Sequence, residues 1–267
     1  MTHLALAPAR PAATTFQALT AVAAAMVALG LLWASTDPRL VDGMPVWSKP
    51  LKFALSFVAL FGTLALLEAR LSPAVRDGRP MRLIALVMAA CFLSEMAWIV
   101  YQAARAQGSH YNFDDPLAAF MYMTVMAFGA VTLVACIGAI GWIAKRDAGA
   151  ALGAATREAV WLGFLASFVL TMIVAGTLSS GEGHFVGTPP ADAVDWPLLG
   201  WSGAVGDVRP AHFLSLHAMQ VLPLLGLWLD RRGGGVGPVR VAAAAYAILT
   251  FAVFAQALAG MPLIHLG

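Results

Sequence analysis

The chain contains 267 residues, of which 60% are apolar and only 11% are charged. An ordinary soluble domain has about 25% charged residues, so this composition excludes a soluble globular protein and indicates an integral membrane protein. The net charge of +2 is dispersed over several loops, which argues against nucleic acid as a partner. The lipid bilayer is therefore the first partner that the sequence predicts.

Seven segments are apolar enough to cross a bilayer, for which a helix needs about 20 residues. They cover residues 16–34, 49–68, 82–104, 117–143, 159–178, 211–229 and 240–258. No other segment is long enough to form a soluble domain, so we expect one all-α, seven-helix membrane domain over residues 1–267. The one long connection, residues 179–210, is expected to fold over the end of the bundle as a lid, because loops of this length are uncommon unless functional or disordered.

The distribution of basic residues predicts the orientation of the helices. With a cytoplasmic N-terminus, eleven of the 16 Lys and Arg residues lie on the cytoplasmic side, as the positive-inside rule favours. The C-terminus is then extracytoplasmic, and the pattern suits a multi-pass protein of a bacterial-type inner (plasma) membrane. A cleaved signal is the alternative for the first segment, but its apolar run of about 18 residues exceeds the 7–15 of a signal peptide.

A polar stripe begins at the outer end of the second helix. Ser56 and Thr63 follow Lys52 at intervals of four and eleven residues, which places all three near one helix face. Lysine at a helix end is often an interfacial anchor, but the continuation of the stripe favours a cavity or a packing seam. Lys52 is therefore a candidate catalytic residue.

The third helix carries a carboxylate at Glu95, roughly 13 Å from its outer end at 1.5 Å per residue. An acidic group at the bilayer centre costs about 2.5–3.5 kcal/mol, so Glu95 must be protonated, paired or beside water. Trp98 and Gln102 extend the same helix face toward the outside. We predict that Glu95 is catalytic and that Trp98 and Gln102 bind substrate; a structural ion pair is the alternative for Glu95.

The fifth helix has Gly163, Ser167 and Thr171 at intervals of four residues, which predicts a face for close helix packing. The sixth predicted helix carries four polar residues, His212, Ser215, His217 and Gln220, and Arg209 lies just before it. Polar side chains in hydrocarbon normally face a bundle interior or a water-filled cavity. Histidine titrates near neutral pH, so His217 is predicted to act as an acid or a base. The residues predicted to bind substrate are Gln220, Gln256, Trp98, Gln102, His212 and Arg209.

A metal site is an open alternative. His212 and His217 point about 140° apart around the helix, so they need ligands from elsewhere, for which His110 and His184 in the loops are the candidates. Imidazole with carboxylate suits zinc or iron, but no ligand motif is present. A b-type haem needs axial ligands from facing helices, and only the sixth predicted helix contains histidine. We therefore predict no cofactor, with a metal or haem kept as alternatives.

The polar residues gather toward the outer ends of the helices, which predicts a pocket open to the extracytoplasmic side. Lysine, glutamate and histidine together can bind an anion, relay a proton or perform acid–base chemistry. A one-sided pocket under a lid favours a membrane-embedded enzyme acting on a lipid or isoprenoid-like substrate. A small-solute or proton-coupled transporter or binding protein is the alternative, and a structural or assembly factor the second alternative. The sequence predicts no oligomeric state.

Overall fold

The structure, a computed structural model, describes residues 14–41, 43–180, 183–197 and 199–266. It is 70% helical, which confirms the all-α fold class, and seven helices are long and apolar enough to span a membrane. These helices are α1 (Thr15–Ala34), α2 (Ser48–Glu68), α3 (Arg79–Ala104), α4 (Pro116–Arg146), α5 (Ala154–Ser180), α6 (Arg209–Arg231) and α7 (Val236–Leu258). Within α4, residues Met121–Met126 form a π-helical segment.

Short elements complete the connections between the spanning helices. Strands β1 (Leu40–Val41) and β2 (Met44–Pro45) form a hairpin between α1 and α2. A one-turn helix, Pro73–Arg76, follows α2. Strands β3 (Phe185–Val186) and β4 (Gly206–Asp207) pair antiparallel across the long loop between α5 and α6.

The loops gather at two ends of the bundle, which we name by α1. On the near side, where α1 begins, Ala151 N donates to Arg70 O at 2.7 Å and joins the α4–α5 and α2–α3 connections. On the far side, where α1 ends, Leu266 N donates to Gly203 O at 2.9 Å and joins the C-terminal tail to the long loop. The predicted pocket residues belong to the far half.

Tertiary contacts decide where some helices begin. Helix α5 begins at Ala154, earlier than the predicted residue 159, because Asp230 at the end of α6 accepts hydrogen bonds from Ala155 N at 3.0 Å and Thr156 N at 2.8 Å. These amides are among the four that a helix start leaves without an intrahelical partner. A side chain distant in sequence thus caps this helix.

Helices α5 and α6 pack most closely. A Cβ atom added to Gly226 would lie 2.6 Å from Ala159 Cβ, and one added to Gly163 would lie 2.7 Å from Ala218 O. Close to this contact, the Ser167 hydroxyl donates to Leu216 O at 2.9 Å and accepts from the Met219 amide at 3.0 Å. The small residues predicted on one face of α5 therefore make this close approach.

Helices α2 and α6 are neighbours that meet through side chains and make few close backbone contacts. Helix α2 packs on α1 and α3, the chain of neighbours continues through α4 to α5 and α6, and α7 packs on α5 and α6. Over the described residues the α2 and α6 backbones hardly approach each other. We call this boundary, where α2 and α6 meet through side chains, the α2–α6 seam.

Aromatic rings fill the interior between α1, α2 and α3. The Phe61 ring lies 5.1 Å from Phe92, 5.8 Å from Phe57 and 6.4 Å from Phe16. All four side chains are buried. This Phe cluster packs the bundle solidly beside the polar residues of α2.

Candidate functional site

The far end of the α2–α6 seam lies under residues 199–201 of the long loop. Lys52 Nζ on α2 donates to Leu199 O at 3.5 Å, and the guanidinium of Arg209 at the start of α6 donates to Gly200 O. The Trp201 ring lies 5.7 Å from that of Phe213, edge to face. This end of the seam, which we call the mouth, thus places cations from two helices below one loop segment.

Arg209 is fixed in place by the carboxylate of Asp207. Arg209 Nη2 lies 2.6 Å from Asp207 Oδ2, and Arg209 Nε lies 2.9 Å from Asp207 Oδ1. The buried carboxylate also accepts from the backbone amides of Ser202 at 3.0 Å and Arg209 at 2.9 Å. A two-pronged, charge-assisted contact of this kind holds the guanidinium in one orientation, with its centre 5.2 Å from the Phe185 ring.

His184 lies among the cations of the mouth. Its ring packs on Phe185 at 4.2 Å, and burial, followed by the charge of Arg209, lowers the pKa of His184 to about 4. Lys49 and Lys52 act in the same direction, while the charge of Asp207 opposes them. The imidazole is therefore neutral at pH 7 and retains one N–H donor.

A chain of hydrogen bonds crosses the seam from α2 to α6. The Thr63 hydroxyl donates to Ala59 O at 2.7 Å, so it can only accept from Gln220 Nε2, which lies 3.2 Å away. The amide oxygen of Gln220 then faces His217 Nδ1 at 3.2 Å. An amide oxygen is only an acceptor, so this geometry assigns the proton of neutral His217 to Nδ1.

The assigned tautomer determines the chemistry of His217. With Nδ1 protonated, Nε2 carries a lone pair and can accept a proton. The Gln220 oxygen would continue to accept from Nδ1 after protonation and so favour the imidazolium. The α2–α6 seam therefore holds an oriented imidazole suited to general-base chemistry.

Glu95 lies outside the seam, between α3 and α4. Its side chain is 6% exposed, and a Cβ atom added to Gly129 of α4 would lie 3.3 Å from Glu95 Oε1. Among the described residues Oε1 has no hydrogen-bond partner, and Lys49 is the cation that acts on the carboxyl group. The contacts found for Glu95 within the described residues do not reach His217 or Lys52.

His110 belongs to an aromatic cluster on the far side. Its ring lies 5.0 Å from Tyr122 and 5.9 Å from Phe53, and its Nδ1 lies 3.1 Å from the Ser109 hydroxyl. Burial, followed by the charge of Lys49, lowers the pKa of His110 well below its usual value. His110 is thus a neutral side chain packed against α2 and α4.

Three residues predicted to bind substrate donate hydrogen bonds to backbone carbonyls of far-side segments. Trp98 Nε1 donates to Ser109 O at 3.1 Å, and Gln102 Nε2 donates to Gly108 O at 3.1 Å. Gln256 Nε2 donates to Pro262 O at 2.6 Å in the C-terminal tail. The polar nitrogen of each side chain is therefore already used within the protein.

His212, on α6, has a buried ring nitrogen without a hydrogen-bond partner among the described residues. This atom is Nδ1, and the ring interacts electrostatically with His217. Among residues 14–41, 43–180, 183–197 and 199–266, no group of three or more His, Cys, Asp or Glu side chains lies close enough to hold a metal ion. The four histidines considered as ligands thus do not form one cluster in the described structure.

Sequence reasoning missed several parts of the site. Asp207 was not selected, although its position two residues before Arg209 at a helix start is a recognisable signal for a carboxylate that caps and pairs. Thr63 was placed on a polar stripe without a partner. Gly129 gave no signal, because its role depends on the side chain of Glu95 from another helix.

These features define the class of the protein: a multi-pass membrane protein built as a bundle of seven spanning helices. The chain matches no protein-family model, no characterised protein and no solved structure at a significant level of similarity. Its function is therefore inferred from the geometry of its own side chains.

Proposed function

We propose that the protein is a membrane-embedded enzyme that acts on a lipid or isoprenoid-like substrate by acid–base chemistry in the α2–α6 seam. One observation carries the proposal: the hydrogen bonds from Thr63 through Gln220 orient His217 as a base between two helices that also face lipid. Phe213 is 45% exposed and Leu224 64% exposed along α6. A substrate dissolved in the bilayer could thus enter from the side, without crossing the long loop.

The proposed roles follow from these contacts. His217 Nε2 takes a proton from the substrate, and the Gln220 oxygen supports the resulting imidazolium. Lys52, which is half-buried at the mouth, orients the polar end of the substrate. Glu95 is proposed to act apart from His217, on the flank of α2 that carries Lys49, because its contacts lie between α3 and α4.

The Phe cluster favours an enzyme over a transporter. Alternating access requires a route to the near side, yet Phe57, Phe61 and Phe92 close the interior beside α2 with ring separations of 4.6–5.8 Å. By the positive-inside rule, the proposal places the mouth on the extracytoplasmic face of an inner membrane. A proton-coupled transporter is the second candidate, supported by the buried carboxyl oxygen of Glu95 for which the described residues provide no hydrogen-bond partner.

The test uses the full chain reconstituted in vesicles of a bacterial lipid extract, with lipids analysed by mass spectrometry over time. We expect a lipid species to be converted by the wild-type protein and by His265→Ala, whose histidine lies exposed in the tail. His217→Ala should lower the rate by about 100-fold or more, as loss of a general base commonly does. Unfolding midpoints of the three proteins should agree closely.

Two results would count against the enzyme. Conversion that survives in His217→Ala would remove the proposed base. Uptake of a solute into vesicles without any chemical change, abolished by Glu95→Gln, would establish the transporter instead.

A further inference from the structure

Positive charge accumulates at the mouth of the seam. Arg209, Lys49 and Lys52 all act electrostatically on the imidazole of His184, and Arg209 also acts on Lys52. The carboxylate of Asp207 already accepts from four donors: the amide, Nε and Nη2 of Arg209 and the amide of Ser202. The mouth therefore holds more positive than negative charge among the described residues.

Two helix ends add to this charge. Helices α2 and α6 both begin at the mouth, and neither has an acidic residue in its first turn. The Asp207 carboxylate accepts from the Arg209 amide at the start of α6, whereas no side chain is found to cap α2 among the described residues. The N-terminus of a helix carries a partial positive charge that favours anions nearby. Lys49, Lys52 and Arg209 place cations there instead, an arrangement that an anion bound between the two helices would stabilise.

The side chains at the mouth have donors to offer such an anion. Among the described residues, Lys52 Nζ makes a single hydrogen bond, at 3.5 Å to the neutral carbonyl of Leu199, and no carboxylate lies within ion-pair distance of it. Arg209 uses Nε and Nη2 for Asp207 and Gly200, and its Nη1 has no partner in the described chain. Neutral His184 supplies a further N–H group.

The geometry of these donors selects the kind of anion. They come from α2, from α6 and from the long loop, so one ligand must present several oxygen atoms in different directions. A phosphate group does so, and Arg and Lys are its usual partners in proteins. A single carboxylate has two oxygen atoms and would leave part of the cluster without a contact.

We infer that the mouth of the α2–α6 seam binds a phosphate-type oxyanion through Lys52 and Arg209, with Lys49 and His184 completing the electrostatic environment. This inference names the head group of the proposed lipid substrate and in that respect rests on the proposed function. The oxyanion has two possible sources: the head group of a lipid in the seam, or free phosphate from the aqueous side.

The experiment measures binding of dodecyl phosphate and of inorganic phosphate to the full chain purified in a maltoside detergent, by isothermal titration calorimetry. Lys52→Gln removes the charge and Lys52→Arg keeps it. Arg105→Gln is the control for loss of a far-side cation, because Arg105 is exposed and its guanidinium contacts Tyr101. Lys52 makes one long hydrogen bond, so its substitution should leave the fold intact.

We expect saturable binding of dodecyl phosphate that weakens about tenfold or more in Lys52→Gln, as loss of one charge-assisted contact implies. Binding to Lys52→Arg and Arg105→Gln should stay within about threefold of wild type. Inorganic phosphate should compete with dodecyl phosphate but bind more weakly. The tighter binding of dodecyl phosphate would identify a lipid head group as the source of the oxyanion.

Other results separate this inference from the proposed function. Inorganic phosphate that binds as tightly as dodecyl phosphate would support the oxyanion site and contradict a lipid ligand there. Absence of saturable binding, or equal binding to Lys52→Gln and wild type, would overturn the oxyanion site. Phosphate binding with lipid conversion unaffected by His217→Ala would leave the oxyanion site standing and remove the proposed enzyme.

Discussion

The two ends of the bundle treat their polar groups differently. On the near side, Asp230 caps α5, and Glu158 pairs with both Lys145 and Arg240. Within the described residues, six buried polar side-chain atoms have no hydrogen-bond partner. One, Glu68 Oε2, lies on the near side. The other five lie in the far half: Glu95 Oε1, Gln102 Oε1, Gln107 Oε1, Trp196 Nε1 and His212 Nδ1. Unsatisfied buried groups are rare and call for an explanation, and most of those found within the described residues lie in the far half.

The largest expected effect on stability comes from the close packing of α5 against α6. Gly226→Val should destabilise the protein by about 2–3 kcal/mol, because the added carbons would overlap Ala159 and Thr156 at the α5–α6 crossing. The measurement is reversible unfolding in mixed detergent micelles. Gly176→Val is the control, since a Cβ atom there meets no heavy atom within 4 Å; equal losses in both variants would show that the close crossing is not what matters.

Capping on the near side comes next. Asp230→Ala should cost about 1–2 kcal/mol, because the Ala155 and Thr156 amides and the Thr156 hydroxyl lose their acceptor. Asp192→Ala, at an exposed position in the far-side loop, should change the unfolding free energy by less than about 0.5 kcal/mol. If the two losses were similar, the contrast between the two ends would fail.

These two cases show what a sequence can and cannot predict here. The seven spans were predicted because hydropathy over about 20 residues is a local property. The start of α5 was not, because it depends on Asp230, a residue 75 positions from Ala155. Likewise, the interval of four residues identified the packing face at Gly163, but could not show that α6 would pack against it.

The site was harder to predict than the fold. Depth along a helix placed Glu95, His217 and Gln256 in the far half, but depth does not determine which helices are neighbours. The structure puts Glu95 against α4 and His217 in the seam with α2. Gln256 is occupied by a tail carbonyl, a contact that no hydropathy pattern reveals.

A smaller effect concerns His184 on the far side, which should make the free energy of unfolding depend on pH. Unfolded histidine has a pKa of about 6.5 and folded His184 about 4, so the unfolded chain binds more protons between these values. Stability should therefore fall as the pH is lowered from about 6.5 toward 4, and be fully present above 6.5. After allowance for solvent screening of this half-buried group, we expect a loss of about 1 kcal/mol.

The control for this pH effect is a pair of substitutions. His184→Gln should reduce the slope of the unfolding free energy against pH in that range, with a residual slope from buried His110, whose pKa is also lowered. His265→Gln, in the exposed tail, should leave the slope unchanged. A slope in His184→Gln as steep as in the wild type would assign the whole effect to other groups and would show that the cations of the mouth do not act on this imidazole.

The variant with the smallest expected loss of stability, Gln220→Leu, tests the proposed tautomer of His217. Hydrogen bonds between membrane helices contribute about 0.6 kcal/mol on average, so Gln220→Leu should destabilise the protein only by about that amount. It should, however, change the tautomer of His217, because the oxygen that faces Nδ1 at 3.2 Å is lost. Nitrogen-15 shifts of the ring should show Nδ1 protonated in wild type and an increased share of the Nε2-protonated form in the variant.

Thr63→Val should have a partial effect, since it leaves Gln220 in place and removes only the group that orients its amide. A wild-type ring protonated at Nε2 would mean that the seam presents a donor instead of a base, and the near–far contrast would then describe packing without supporting acid–base chemistry by His217.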